Sequence, residues 1–256
     1  MRLPLPIFGL LLGVQCIASP VAFTADLETI QERGYLIVAV KDNWRPLGFI
    51  DEAGELVGLE IDIAVRLAEE LFDDPTAIEF VPVSNLERLT MVLNDEVDMT
   101  IAGVAITPMR QRVVDFSSPY YLDGTAFLTR NPQIRELADL QQGAIALIEG
   151  SAAVAHVNYT LPTAELIGVP SYLAAYETLE TGQADAIAAD LTVLSGWAQE
   201  YPDYRLLPGV LTAEPLAIVM PKGNQYIELR RFVNEEIEAW HANGWLEERT
   251  TAWRLP

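Results

Sequence analysis

The chain has one cysteine, Cys16, and two histidines, His156 and His241, among 256 residues. A lone thiol closes no internal disulfide and builds no thiolate metal site. Two histidines on separate helical stretches, with no paired ligand motif, leave metal hydrolysis and triad chemistry short of parts. No His-x-x-Glu-His run, Gly-x-Ser-x-Gly elbow or phosphate loop occurs. Positive charge is scarce too. With 16 basic against 37 acidic residues the formal charge is −21, which repels phosphate backbones and anionic headgroups and argues against nucleic-acid binding. An acidic surface of this kind keeps a protein in solution and does not name a ligand. Low-complexity tracts, fixed-period repeats and long linkers are also missing.

What is present begins with an atypical N-terminus. Arg2 precedes an apolar run over 7–14, and small residues follow at Ala18, Ser19, Ala22 and Ala25. That order is the pattern of a secretory signal peptide, and the run is shorter than the ~20 residues a membrane helix needs. Phe23 interrupts a small-x-small cleavage site, so the expected mature start is near Asp26. A lipid anchor through Cys16 is the weaker reading, because Val14-Gln15 stand where small residues are needed. Once 1–25 are removed no cysteine remains, and the fold relies on its core.

Half the residues are apolar and 21% are charged, as in a globular protein long enough for one large domain or two small lobes. The apolar run 36–40 reads as a strand. After the turn signal at 51–54, helical spacing runs over 61–72. Further strands are expected at 78–83 and 98–103, with a helix at 86–93 between them. The pattern restarts after Leu122-Asp-Gly124: a strand at 144–148, a turn at Gly150-Ser151, a helix from 152, a strand at 184–189. A last strand at 216–220 precedes helices near 225–239 and 243–250. Alternating strands and helices predict mainly parallel sheets covered on both faces.

Five segments carry a resemblance: Trp44-Arg-Pro-Leu-Gly-Phe49, Gly58-Leu-Glu-Ile-Asp62, Gly103-Val-Ala-Ile-Thr-Pro-Met-Arg110, Val114-Asp-Phe-Ser-Ser-Pro-Tyr-Tyr121 and Ala184-Asp-Ala-Ile-Ala-Ala-Asp190. In this order and spacing, from Leu36 to Trp253, the chain resembles the polar-amino-acid family of periplasmic solute-binding proteins, family 3, which serve ABC transporters. The resemblance implies an α/β, two-lobe periplasmic-binding-protein fold of type II: two doubly wound sheets joined by a two-segment hinge. The expected division is 1–25 signal peptide, 26–121 with 215–256 as lobe 1, and 122–214 as lobe 2, with hinges at 120–124 and 211–214. It further implies a periplasmic monomer without cofactor or metal that passes an amino acid to a membrane ABC permease.

An α-amino acid brings a carboxylate and an ammonium into a closed cleft, and each stripped charge needs a countercharge. By resemblance Arg110 grips the carboxylate with two parallel N–H bonds. The alternative is a surface arginine opening a helix capped by Thr107-Pro108, whose first amides, near Gly103, would face the anion. Asp190 matches the ammonium-binding acid. Ser151 matches a carboxylate donor from the second lobe, or a plain helix cap. Trp44 matches an aromatic wall, or a core tryptophan. Asp62, Asp98 and Asp115 are fold residues.

Leu86 stands where relatives place an aromatic, Ala105 where they place serine or threonine, and Ile148 where a polar reader can occur. This loss of polar readers favours a neutral side chain, since an unpartnered buried polar group costs about 1–3 kcal/mol. Lys41 opposes a cationic ligand and leaves room for an acidic one. Two other uses of the fold remain: a dehydratase for prephenate-like acids, with Glu149 or Lys41 as general acid, and a ligand-sensing subunit of a receptor.

Overall fold

The computed structural model describes residues 26–256; the expected signal segment, with Cys16, lies outside the described residues. Asp26 caps α1 (Leu27–Arg33) by accepting the Thr29 N–H at 2.9 Å. The expected first strand is β1 (Leu36–Val40), buried throughout. Val38 and Val40 join one apolar cluster and Ile37 and Ala39 another. A parallel strand with helices on both faces has this double burial.

A small antiparallel ribbon follows, made of β2 (Asn43–Trp44), β3 (Gly48–Ile50) and β4 (Leu56–Val57). The first unit continues through α2 (Leu59–Phe72), β5 (Ile78–Pro82), α3 (Glu87–Leu93), β6 (Met99–Ile101) and β7 (Asp115–Phe116). The chain then leaves along β8 (Tyr121–Asp123). The second unit holds β9 (Thr125–Thr129), β10 (Ala144–Ile148), α4 (Ala152–Thr160), β11 (Glu165–Val169), α5 (Tyr172–Glu180), β12 (Ala186–Asp190), α6 (Leu191–Glu200) and β13 (Arg205–Leu206). The return path is β14 (Glu214–Leu216), followed by β15 (Val219–Met220), α7 (Ile227–Asn243) and α8 (Trp245–Ala252).

The first sheet runs β5-β1-β6-β15-β7 and the second β11-β10-β12-β9-β13. Outgoing β8 and returning β14 pair antiparallel, with Tyr121 opposite Leu216 and Asp123 opposite Glu214. The molecule therefore has the two-lobe α/β fold, with two adjacent strands as the crossing. Each sheet carries an apolar cluster on either face, as two doubly wound lobes require. Among the described residues no helix is long and apolar enough to cross a membrane.

Several boundaries differ from expectation for local reasons. The last two helices meet at Gly244, whose φ of +81° ends α7, so each extends beyond its expected end. The turn after Thr107-Pro108 is no α-helix but a three-residue 3₁₀ turn, Arg110–Arg112, because the chain enters β7 at Asp115. A turn that short accumulates no dipole, so the expected helix-start cradle for an anion is not formed there. The sequence reading assigns nothing to 165–180 or 191–200, where β11, α5 and α6 stand. Asp62 accepts the Trp253 indole N–H at 2.8 Å, Asp98 takes the Ile37 N–H at 2.8 Å, and Asp115 pairs with Arg230 at 2.7 Å.

Candidate functional site

The loop leaving β1 turns Lys41 inward, 5% exposed, with Nζ donating to the Val83 carbonyl at 2.8 Å. Burial lowers its pKa and Asp42 opposes the shift. Three residues on, β2 presents Trp44, whose ring lies on Gly103 just past the end of β6. A Cβ at 103 would come within 2.9 Å of Trp44 Cζ3, and the φ of +62° also favours glycine. Gly103 is held on both sides. Its N–H donates to Glu60 at 2.6 Å, and its carbonyl accepts Arg88 Nη1 at 2.7 Å. The same Nη1 reaches the Ala102 carbonyl at 2.9 Å.

Glu60, in the first turn of α2, is fully buried. It accepts the Tyr120 hydroxyl at 2.5 Å, and its Oε2 has no hydrogen-bond partner among the described residues. Burial raises its pKa to about 7, against the pull of Tyr120, Gly103, Arg88 and Lys41. The fold thus favours the protonated acid. Its stabilising contribution is complete below the ordinary value near 4.5 and is lost as pH rises through about 7. Across that interval the loss amounts to about 3 kcal/mol. Glu60→Gln should flatten this dependence: urea titrations at pH 5 and pH 8 should show wild type losing more stability than the variant as pH rises. Equal losses in both proteins would reject this account of Glu60.

From the second lobe, β12 delivers Asp190 at the start of α6, where the Tyr172 hydroxyl donates to it at 3.3 Å. Burial first, then the charges of Asp123 and Glu214, raise the Asp190 pKa to about 6. Asp123 is itself buried and takes the Thr192 hydroxyl at 2.7 Å. Tyr172 meets the Trp197 ring edge to face at 6.2 Å, and Tyr176 braces Trp197 at 5.9 Å.

These groups bound a cavity of about 720 Å³ between the lobes. Lys41, Trp44 and Arg88 line its first-lobe wall, and Tyr172, Asp190 and Trp197 the other. One wall is basic and the other acidic and aromatic. At the rim Arg45 pairs with Glu200 at 3.4 Å, and Gln199 Nε2 donates to the Trp253 carbonyl at 2.9 Å. Between those contacts Gly196 lies under the Arg45 backbone carbonyl.

Four expected residues, Lys41, Trp44, Leu86 and Asp190, line the cavity. Gly103 lies beneath Trp44. Arg110 does not line the cavity: it borders a separate depression with Thr107, Pro108, Met109 and Arg112, and its Nη1 donates to the Ala105 carbonyl at 2.7 Å. Arg110 is nonetheless near Arg88: after burial, its charge is the largest influence lowering the Arg88 pKa. Ala105 pairs with Leu216 and is partly buried against the first-lobe core. Ser151 and Ile148 do not line the cavity; Ile148 packs on a second-lobe cluster, and the buried Ser151 hydroxyl has no partner among the described residues and does not cap α4. Arg88, Tyr172, Trp197, Glu200 and Glu60 were not anticipated. A spacing argument could have found Glu60, which shares the buried face of α2 with Ala64 and Leu67.

Two α/β lobes, joined by a paired-strand crossing and enclosing a cavity with oppositely charged walls, define a solute-binding protein. The chain belongs to the bacterial extracellular solute-binding proteins, family 3, whose family model matches residues 36–256. It is 34% identical over 200 residues to a glutamine-binding protein of Geobacillus stearothermophilus, covering 77% of this chain and 76% of that protein. It is 31% identical to the glutamate-binding protein GluB of Corynebacterium glutamicum, over 83% of this chain and 76% of that one. Among solved structures it is similar to an ancestral cationic amino acid solute-binding protein, with a TM-score of 0.75, 28% identity and coverage of 89% and 98%. The solute receptor for L-cysteine of Neisseria gonorrhoeae matches with a TM-score of 0.70, 29% identity and coverage of 91% and 94%.

Proposed function

We propose that the protein is the exported, periplasmic binding component of an amino-acid ABC transporter, capturing one α-amino acid between its lobes as a monomer and presenting it to a membrane permease. The observation that carries this reading is the opposition of Asp190 to the guanidinium of Arg88, with Arg110 beside it, across one cavity. Asp190 takes the ammonium, and Arg110, reaching in from the separate depression next to Arg88, takes the α-carboxylate together with Arg88, while Trp44, Tyr172 and Trp197 hold the aliphatic part. The names of the relatives support an amino acid as the solute. Closure proceeds by rotation about β8 and β14 and is driven by contacts made only in the closed form.

Two observations favour a binder over a dehydratase on the same scaffold. Glu149 is exposed and lies over Gly168 rather than in the cavity, and the Lys41 ammonium is hydrogen-bonded to Val83. Neither is poised as a general acid, whereas an ammonium-pairing Asp190 has no evident use with an amine-free acid.

A calorimetric screen of the twenty amino acids, prephenate and arogenate, with product analysis, tests the reading. We expect saturable binding of an amino acid, no turnover, and a loss of about a hundredfold or more in affinity for Arg110→Ala. Turnover of either cyclohexadienyl acid, or undiminished affinity in Arg110→Ala, would overturn the reading or the site respectively.

A further inference from the structure

Asp190 stands where its side chain has two competing uses. It lines the cavity, and it is also the N-cap residue of α6, yet it makes no capping hydrogen bond. An aspartate at an N-cap ordinarily accepts the backbone N–H two or three residues on, and a carboxylate used that way is turned onto its own helix. For α6 the acceptors come from the crossing instead. The Leu191 N–H donates to the Gly124 carbonyl at 2.8 Å, and the Thr192 N–H donates to Asp123 Oδ1 at 3.2 Å. Asp123 Oδ1 also takes the Gly124 N–H at 2.8 Å, while Oδ2 accepts the Thr192 hydroxyl at 2.7 Å. The last residue of β8 thus does for α6 what Asp190 would otherwise do. We propose that Asp123 is a positioning residue for the ammonium site, capping α6 from the crossing so that the Asp190 carboxylate stays turned into the cavity.

The arrangement is held from several sides. Asp123 is 4% exposed and does not line the cavity, so its carboxylate serves protein donors and not the solute. Asp190 pairs with Thr125 of β9, two residues after Asp123, which brings the two acids to one corner of the second lobe. Gly124 between them is pressed against the return path: a Cβ there would lie 2.1 Å from the Thr212 carbonyl. Across the crossing Asp123 faces Glu214, whose Oε1 accepts the Thr212 hydroxyl at 3.1 Å. The charged and titratable groups around the two aspartates are Glu214 from β14, Tyr172 from α5, Arg88 from α3, and Tyr120 and Tyr121 at the entry to β8. Burial and the neighbouring acids push the three tyrosines upward, so they stay neutral. Asp123 and Glu214 are then the charges that raise the Asp190 pKa, and Arg88 opposes them. Asp123 therefore acts on Asp190 in two opposed ways. Its hydrogen bonds free that carboxylate to meet an ammonium, and its charge makes the same carboxylate easier to protonate.

This role rests on Asp190 as the ammonium-binding acid, and the test separates the two. L-Glutamine and L-glutamate are titrated calorimetrically into wild type, Asp123→Ala, Asp123→Asn, Asp190→Asn and the double variant Asp123→Ala/Asp190→Asn; if neither binds wild type, the tightest of the other standard L-amino acids replaces them. At pH 7.5 Asp123→Ala should lose about tenfold or more in affinity, because the uncapped helix start draws Asp190 back onto itself. In the Asp190→Asn background the same substitution should cost less than about threefold, since residues acting through one contact are not additive, whereas general damage to the lobe would cost the same in both. Asp123→Asn keeps an oxygen for the two backbone N–H groups, so its affinity at pH 7.5 should stay within about threefold of wild type. Its loss of affinity on acidification should move to lower pH than in wild type, because one of the charges raising Asp190 is gone. Ligand-free melts check folding, and if Asp123→Ala does not fold the pH profile of Asp123→Asn decides alone. Undiminished affinity in Asp123→Ala, an equal loss in both backgrounds, or an acid decline in Asp123→Asn at or above the wild-type pH overturns the positioning role and leaves Asp190 in place. Undiminished affinity in Asp190→Asn, or no amino acid bound by wild type, removes the site itself and this role with it.

Discussion

Asp190→Asn is expected to weaken amino-acid binding by about a hundredfold or more at pH 7.5. The substitution keeps the size and the hydrogen bond from Tyr172 but removes the countercharge for a desolvated ammonium, and truncating one member of a buried charge pair costs about 2–5 kcal/mol. Wild type should mimic the variant when acidified. The Asp190 pKa is raised to about 6 by burial and by Asp123 and Glu214, so its carboxylate is charged above that pH and neutral below it. Affinity should be full near pH 7.5, decline as pH falls through about 6, and approach that of Asp190→Asn, whose own affinity stays comparatively flat. Calorimetry at pH 7.5 and 5.0 reads both effects. A variant within about threefold of wild type at pH 7.5 would remove Asp190 from the ammonium site.

Gly196→Val should impair capture without destabilising the empty protein. Glycine within α6 costs about 1 kcal/mol of helix propensity relative to alanine, so something other than helix formation keeps it there. That reason is the Arg45 carbonyl, which any Cβ at 196 would overlap while the lobes touch. Backbone held between β2 and β3 has little freedom to yield, and the flanking Arg45–Glu200 and Gln199–Trp253 contacts would be pried apart together. The expected result is affinity lower by about tenfold or more and loss of ligand-induced compaction in small-angle scattering, with the ligand-free melting temperature unchanged or higher. Normal compaction in the valine variant would show that the lobes do not meet at this point during capture.

Some of this site is visible in the sequence because it lies at the ends of strands. Lys41 follows β1 and Asp190 ends β12, strands whose apolar runs are easily recognised, and Trp44 follows Lys41 within a turn. Arg88 and Trp197 sit inside helices, where the facing of a side chain is decided by tertiary packing and not by local pattern. The strand β11, Glu-Leu-Ile-Gly-Val at the sheet edge, has mixed polarity and half-exposed positions, so periodicity could not find it or the helix α5 that follows. Glu60 was passed over for a different reason. In Gly58-Leu-Glu-Ile-Asp62 both acids sit in the first turn of α2, but the one turned into the core is Glu60, while Asp62 anchors Trp253.

The paired strands β8 and β14 have one more consequence. Because they run side by side and bond to each other, the crossing is a narrow twisted ribbon that yields to torsion more readily than to sliding or separation. Opening and closing then reduce to a single angular coordinate, and its stiffness belongs to Tyr121–Asp123 and Glu214–Leu216, residues outside the cavity wall. Motion is thereby carried by residues that do not touch the solute, although Asp123 and Glu214 still reach the site through their charges on Asp190. Substitutions at the wall can exchange one solute for another while the mechanical element that captures it is inherited unchanged.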